Sequence, residues 1–272
     1  MRAQASSVPR REIRLDSRLR ATGRSEWIKF RSVRSGPIAL SAAALIMVVG
    51  AWLLGDNDRS GYLAASPADK AAFDPVFTVF QAVELAQLFV GVLGVTTVTG
   101  EYTSGLIRGT FVATPQRAQV LATRALVFTV VVWACCTVMS FAAFFLGQSA
   151  LSPARHARIG DPGVATAVLG AGLYLTLIGL LGLFVGVLVR RTPGALAALF
   201  GLLVVPPIVF TQIADKITKN LGEYTPEAGQ RAFHLLPGGA YTLGPGPGLG
   251  VEAAYAGVAA VAAFALILRR DA

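Results

Sequence analysis

Six apolar stretches, each at least 20 residues long, dominate the chain of 272 residues. A helix rises 1.5 Å per residue, so about 20 apolar residues are needed to cross the roughly 30 Å hydrocarbon core of a bilayer. Among the residues of these stretches, only Glu84 and Glu252 are charged. Because lipid offers no hydrogen-bond partner to free backbone groups, each stretch is predicted to form a transmembrane helix. The stretches cover residues 36–55, 76–98, 125–146, 164–189, 195–214 and 249–268.

The composition agrees with lipid as the solvent of most of the chain. Hydrophobic residues make up 54% and charged residues 14% of the sequence, and the mean hydropathy is +0.61. A soluble domain of this size needs a more polar surface. The sequence therefore predicts an all-α, polytopic membrane protein with six transmembrane helices in a domain over residues 25–272. A polar, basic leader at residues 1–24 precedes it and is expected to be disordered.

The lysines and arginines are distributed unevenly between the two sides of the predicted helices. Seventeen of the 24 lie on the side that contains residues 1–35, and seven lie on the other side. Basic residues are retained in the cytoplasm and are attracted there by anionic lipid. We therefore predict that the N and C termini are both cytoplasmic. The net charge of +9 is interpreted in the same way, with no nucleic acid as a partner, because no nucleic-acid-binding motif accompanies it.

The motifs that would support an enzymatic role are absent from the sequence. A P-loop requires Gly-Lys followed by Ser or Thr, and none of the lysines, at positions 29, 70, 216 and 219, has that context. Neither HExxH nor GxSxG occurs. We therefore expect no catalytic residues, no metal site and no cofactor in this chain. If transport is active, its energy has to come from another chain.

Polar residues in the second stretch and small residues in the fourth form two candidate features. Gln81, Glu84 and Gln87 recur every three residues and are predicted to share one side of a helix, with Glu84 about 12 Å deep. A carboxylate at that depth usually faces protein or water. The polar stripe either lines a transport pathway or a dimer interface, or it is a structural hydrogen-bond network. Gly182 and Gly186 form a small-xxx-small pair, which is typical of close helix packing.

The segment between the last two stretches is long for a simple connection. Its middle, Pro226 to Leu236, is predicted to form a short helix, and the run Gly244-Pro-Gly-Pro-Gly248 is predicted to be a loop. Glu252 follows this run closely. We expect it to lie at the outer rim of the membrane, in contact with water.

Five segments resemble the permeases of type-2 ATP-binding-cassette (ABC-2) exporters, the membrane subunits of bacterial ABC transporters. Their order around the six stretches extends the resemblance from about Ser25 to Ala272. They are SEWIKFRSVRS (25–35), LGVTTVTGEYTSGLIR (93–108), RRTPGA (190–195), YTPEAGQ (224–230) and LRRDA (268–272).

The resemblance implies a division of labour between subunits. Two permease subunits, identical or different, would form the pathway in the bacterial plasma membrane, and a separate ATPase subunit would bind ATP and Mg²⁺. The residues implied for coupling to the ATPase are Gly100, Glu101, Tyr102 and Arg108 in one segment, and Arg190, Arg191 and Thr192 in a second. Those implied for an interfacial helix against membrane lipids are Trp27, Phe30 and Arg31.

The leading hypothesis is accordingly a permease subunit that exports a small molecule or a lipid-like substrate. One alternative is an ion-coupled secondary transporter that uses Glu84 as its ion site. Another is a non-transporting membrane anchor or immunity protein, in which the polar stripe is incidental. The sequence does not indicate the substrate.

Overall fold

The structure is a computed structural model that describes residues 35–64, 66, 73–103, 117–151, 156–212, 224–235 and 243–269. The predicted leader, Trp27, Phe30, Arg31 and Arg108 lie outside the described residues. The described part consists of seven α-helices and one 3₁₀ helix. They are α1 (Ser35–Ala64), α2 (Pro75–Phe80), α3 (Val83–Thr103), α4 (Arg117–Ala150), α5 (Val164–Val189), α6 (Thr192–Gln212), the 3₁₀ helix Pro226–Phe233, and α7 (Pro245–Arg269).

Five of these helices are long and apolar enough to cross a membrane, namely α1, α3, α4, α5 and α7. The helical class is therefore confirmed, and the described part is that of a multi-pass membrane protein. The fifth predicted span corresponds to α6, whose apolar part runs over Thr192–Pro206. Fifteen residues of helix cover only about 22 Å, which is less than the hydrocarbon core. Six spans and cytoplasmic termini stay predictions.

The second predicted stretch forms two helices. Helix α2 begins after Asp74, whose carboxylate accepts the backbone N–H groups of Val76 and Phe77, both at 3.0 Å, and so caps the helix. A turn at residues 81–82 follows, and the Glu84 N–H bonds to the Gln81 carbonyl at 3.1 Å, a tighter i to i−3 bond. Glu84 is consequently the second residue of α3.

Helix α5 lies at the centre of the bundle, in contact with α3, α4, α6, α7 and the 3₁₀ helix. Its contact with α3 brings the two backbones together. A Cβ at Gly182 would lie 2.5 Å from the Gly91 carbonyl oxygen, and one at Gly94 would collide with the Gly179 carbonyl. Gly186 faces α3 one turn further along, where a Cβ would lie 3.1 Å from the Val95 carbonyl oxygen. Glycine allows this approach because it has no side chain.

The 3₁₀ helix packs into the bundle between α5 and α7. Gly229 is one point of close approach, since a Cβ there would lie 2.6 Å from Cδ2 of Tyr174 and 3.1 Å from Cβ of Glu252. Phe233 is buried beside it, with its ring centroid 6.1 Å from that of Tyr174 and 5.6 Å from that of Phe80. This segment therefore forms part of the core.

Asp74 also joins the 3₁₀ helix to α2. Its Oδ1 atom accepts the two cap bonds, and its Oδ2 atom accepts the Leu235 backbone N–H at 2.6 Å. The imidazole of His234 stacks on Phe77, with ring centroids 3.8 Å apart. One carboxylate therefore joins two distant segments, because Asp74 and Leu235 are 161 residues apart in sequence.

The prediction of a loop at Gly244–Gly248 is wrong. Helix α7 begins at Pro245 and includes Pro247. Both prolines lie in the first turn, where backbone N–H groups have no partner within the helix, so their missing donors cost nothing there.

Candidate functional sites at the two ends of helix α3

Helix α3 carries a cluster of polar side chains at each end. The arginine junction, near its end, consists of Thr99, Glu101, Tyr102, Arg124, Arg190 and Thr192. The carboxylate cluster, at its start, consists of Glu84, Gln87, Tyr174, Glu227, Gln230 and Glu252. From Glu84 to Thr99 the helix covers about 22 Å.

A nearly buried ion pair forms the first contact of the arginine junction. The Arg124 guanidinium donates to the Glu101 carboxylate at 2.6 Å, and the two side chains are 7% and 13% exposed. Charge-assisted hydrogen bonds of this length are strong when water is excluded. The carboxylate of Glu101, implied for coupling, is therefore bound to helix α4. The sequence marked Arg124 only as the edge of an apolar stretch, and nothing there identified its partner.

A cation–π contact joins the end of α5 to α3. Arg190 ends α5 with a left-handed backbone, at φ 62°, and its N–H bonds to the Gly186 carbonyl at 2.9 Å. Its guanidinium carbon lies 5.6 Å from the centroid of the Tyr102 ring. Such a backbone conformation is unfavourable for a residue with a Cβ. Here it closes the helix and turns the chain towards α6.

A hydrogen bond between two threonines completes the junction. The Thr192 hydroxyl donates to the Thr99 hydroxyl at 2.8 Å, and Thr99 in turn donates to the Val95 carbonyl at 3.0 Å. The structure thus brings together Tyr102 with Arg190 and Thr99 with Thr192. Of the other implied coupling residues, Gly100 and Arg191 are exposed. Thr99 was not among the candidates, since a threonine inside an apolar run gives no specific signal.

Tyr174 is the centre of the carboxylate cluster. Its side chain is fully buried, and its hydroxyl donates to Oε1 of Gln87 at 2.5 Å and accepts a longer bond from Nε2 of Gln230 at 3.4 Å. The three residues belong to α5, α3 and the 3₁₀ helix. Tyr174 therefore joins three segments that are far apart in sequence. The sequence offered one signal for it, as the single tyrosine of the fourth apolar stretch.

Three carboxyl groups, those of Glu252, Glu227 and Glu84, lie near enough to this tyrosine to act on it electrostatically. Glu84 and Glu227 are exposed, and burial of part of the Glu227 side chain raises the pKa of that carboxyl, to which the negative charge of Glu84 adds. The exposed edge of the cluster therefore carries two carboxyl groups that interact with each other.

Glu252 lies at the buried side of the cluster, and the prediction that it contacts water at the rim is wrong. It is 0% exposed, and neither of its carboxylate oxygens accepts a hydrogen bond from a described residue. The 3₁₀ helix covers it through Gly229. The covering segment comes from elsewhere in the chain, so the position of Glu252 near the start of its helix did not reveal its burial.

The predicted polar stripe is divided between two environments. Gln81 and Glu84 are exposed, whereas Gln87 is 7% exposed and is bonded to Tyr174. The turn at residues 81–82 places Gln81 outside the regular helix. Gln87 thus belongs to a structural hydrogen bond, and Glu84 remains accessible.

The helices define the protein at the level of its class. The described part is that of a multi-pass α-helical membrane protein, with a polar cluster at each end of helix α3. Comparison of the chain with known protein families and with curated proteins gave no match. Within the described residues, no three His, Cys, Asp or Glu side chains are arranged to hold a metal ion.

Proposed function

We propose that the chain is the permease subunit of an ABC-2 type exporter in a bacterial plasma membrane. In this proposal α6 is the sixth membrane helix, and both termini are cytoplasmic, as the distribution of basic residues predicts. A second permease subunit completes the pathway. A separate ATPase subunit binds ATP and Mg²⁺ and supplies the energy.

The observation that carries this proposal is the contact between the two segments that the resemblance assigns to coupling. Tyr102 and Thr99 of α3 contact Arg190 and Thr192 at the α5–α6 connection. A displacement of either segment is therefore transmitted to the other. An ATPase that pushes on this surface would move α3 and α5 together.

The route from the arginine junction to the carboxylate cluster supports the same function. Helix α3 connects the two clusters, and its backbone packs directly on α5 at Gly91 and Gly182. Close-packed interiors transmit displacement with little compression. A displacement at the arginine junction would therefore also move the start of α3, where Glu84 lies.

Co-purification tests the proposal. The full chain would be expressed with any ATPase that is encoded beside it and purified in mild detergent, and ATP-dependent transport would be measured in liposomes. We expect a stable complex and transport that Tyr102→Leu and Arg190→Ala reduce strongly. The matched control is Arg158→Ala, which removes an exposed arginine outside both clusters and should leave transport unchanged. The proposal fails if no ATPase co-purifies and if Glu101→Ala leaves transport intact.

The carboxylate cluster favours a second candidate, an ion-coupled secondary transporter. Glu84 is exposed and lies close enough to Glu227 to raise the pKa of that carboxyl, an arrangement suited to carrying a cation or a proton. This candidate predicts transport that stops when the proton gradient is collapsed and continues after ATP depletion. Glu84→Gln would then abolish the coupling to the ion.

A further inference from the structure

A cavity of about 510 Å³ lies between α4, α5, α7 and the 3₁₀ helix. None of the described residues that line it belongs to the arginine junction or to the carboxylate cluster. Its inner wall forms where Ala232 packs on Gly170, since a Cβ at Gly170 would lie 2.8 Å from that of Ala232. Its volume is within the range of about 300–1,000 Å³ that is typical of sites for small molecules.

The described residues that line this cavity are almost all apolar. Polar atoms come from the side chains of Thr166 and His234 and from the indole of Trp133. The Thr166 hydroxyl already donates to the Gly163 carbonyl at 2.7 Å. No acid, lysine or arginine is among the described lining residues. Such a wall offers water few hydrogen bonds and offers an ion no counter-charge, so an apolar group fits it best.

The outer side of the cavity faces the bilayer. Trp133, Leu169 and Leu173 line it and are 48%, 42% and 39% exposed. Trp133 lies at the middle of α4, and Leu173 is the tenth residue of α5. Both helices are long enough to cross a membrane. Side chains exposed at this depth therefore contact lipid chains rather than water.

The cavity has about the depth of one bilayer leaflet. It extends along α5 from Gly163 to Leu173, a rise of about 15 Å. Half of the roughly 30 Å hydrocarbon core is the same length. Thr166, Leu169 and Leu173, spaced by three and four residues, lie on one side of α5, so the cavity runs parallel to the helix axis. If this space stayed empty, its walls would lose their van der Waals contacts, and the molecules next to it are lipids.

We propose that this cavity binds one acyl chain of a lipid. The chain lies along α5 and reaches Trp133 and Leu173, and its polar end lies at the starts of α5 and α7, where Gly163 and Pro245 line the cavity. The proposal is independent of the transport function proposed above, because the site shares no described residue with either cluster.

Native mass spectrometry tests the proposal on the full-length protein. The protein would be purified from its membrane in a steroid-based detergent, which has no alkyl chain to compete for the cavity. A phospholipid and a free fatty acid both carry an acyl chain, and the mass of the species that stays bound distinguishes them. We expect one tightly bound acyl lipid per protein chain at this site. After delipidation, titration with dioleoylphosphatidylglycerol or with oleic acid gives the affinity for each source.

Leu173→Trp should weaken binding of the acyl lipid about tenfold or more, because the indole occupies part of the space that the chain fills. Leu45→Trp makes the same substitution at a residue of α1 that is 64% exposed and does not line the cavity. It should leave the affinity unchanged. Elution from a size-exclusion column shows whether each variant is folded.

Two results would overturn the proposal: unchanged affinity in Leu173→Trp, or an equal loss in Leu45→Trp. If Leu173→Trp does not fold, Gly246→Phe replaces it. Gly246 lines the cavity at the start of α7, and nothing lies within 4 Å of a Cβ there, so the new ring enters open space. The same loss is expected, and unchanged affinity in a folded Gly246→Phe variant would contradict the proposal.

Discussion

The guanidinium of Arg190 lies over the ring of Tyr102, 5.6 Å from its centroid, so the residue that ends α5 is held against the last turn of α3. The backbone of Arg190 is left-handed at φ 62°. One residue therefore both closes a helix and contacts another helix, and substitutions can separate the two roles.

Arg190→Gly and Arg190→Ala both remove the guanidinium, but only glycine adopts the left-handed backbone without strain. We expect Arg190→Gly to be more stable than Arg190→Ala by about 1 kcal/mol. The free energy of unfolding in detergent measures this difference. Transport should fall in both variants, since both lose the contact with Tyr102. An alanine variant as stable as the glycine variant would contradict the assigned backbone.

The Arg124–Glu101 pair predicts a strongly non-additive double mutant. Removing one charge leaves its partner in an environment where it is 7% or 13% exposed. We expect Glu101→Leu and Arg124→Leu each to lower the free energy of unfolding by about 3 kcal/mol. The double variant should lose much less than the sum, because no uncompensated charge remains. Additive losses in this double-mutant cycle would show that the pair is not coupled.

Gly182→Ala should separate α3 from α5. The new Cβ would lie 2.5 Å from the Gly91 carbonyl oxygen, which is backbone and cannot rotate away. We expect a loss of about 1–3 kcal/mol in the free energy of unfolding, as for other overpacked sites. Gly201→Ala in α6 is the control, since nothing lies within 4 Å of a Cβ there. That variant should be unchanged or slightly more stable, by up to about 1 kcal/mol.

Tyr174→Phe should lower the free energy of unfolding by about 1–3 kcal/mol. The buried Oε1 atom of Gln87 would lose the hydroxyl that donates to it at 2.5 Å. Unfolding of the purified protein measures the loss. The control, Tyr224→Phe, removes a hydroxyl from a tyrosine that is 54% exposed and should have little effect. Adding Gln87→Leu to Tyr174→Phe should restore part of the stability. A Tyr174→Phe variant as stable as wild type would show that the hydrogen bond to Gln87 contributes nothing to stability.

Acid should destabilise the protein partly through His234. Burial lowers the pKa of this imidazole, with the charge of Arg231 adding and that of Asp74 opposing. The unfolded chain therefore binds the proton more readily than the folded chain. The stabilising contribution of His234 is complete above the ordinary pKa of 6.5 and is lost as the pH falls through the lowered pKa of the folded state. Thermal unfolding between about pH 7.5 and 5 should show this loss, and His234→Gln should show less of it.

Glu227 should shift the same profile in the opposite direction. Burial, and then the charge of Glu84, raise the pKa of its carboxyl above the ordinary 4.5. Its stabilising contribution is complete below that value and is lost as the pH rises through the raised pKa. Glu227→Gln should therefore raise the unfolding temperature at neutral pH relative to wild type and have less effect near pH 4. The reverse order would contradict the assigned burial.

The ranges of the membrane helices were predictable wherever composition changes abruptly. Helix α5 covers Val164–Val189, as predicted, because it begins after Pro162 and Gly163 and ends before Arg190 and Arg191. The turn at residues 81–82 was not predictable, since that stretch has no glycine or proline before Gly91. Apolar length shows that a segment can span a membrane, but it does not show where a helix is interrupted.

The clusters were less predictable than the helices because their members come from distant segments. The resemblance implied Glu101 and Tyr102 as coupling residues. Their partners, Arg124 and Arg190, are 23 and 88 residues away in sequence. The burial of Glu252 depends on the 3₁₀ helix, whose path into the bundle follows from close contacts at Gly229 and Gly248. Such contacts depend on tertiary packing, which hydropathy does not encode.

The two oxygens of Asp74 serve different segments: one caps α2 and the other holds the Leu235 backbone. Replacement of this single carboxylate by an amide would loosen the helix start and the inserted 3₁₀ segment at the same time. The two segments are therefore coupled, because the residues that follow the 3₁₀ helix cannot move away from α2 without breaking the bond to Asp74.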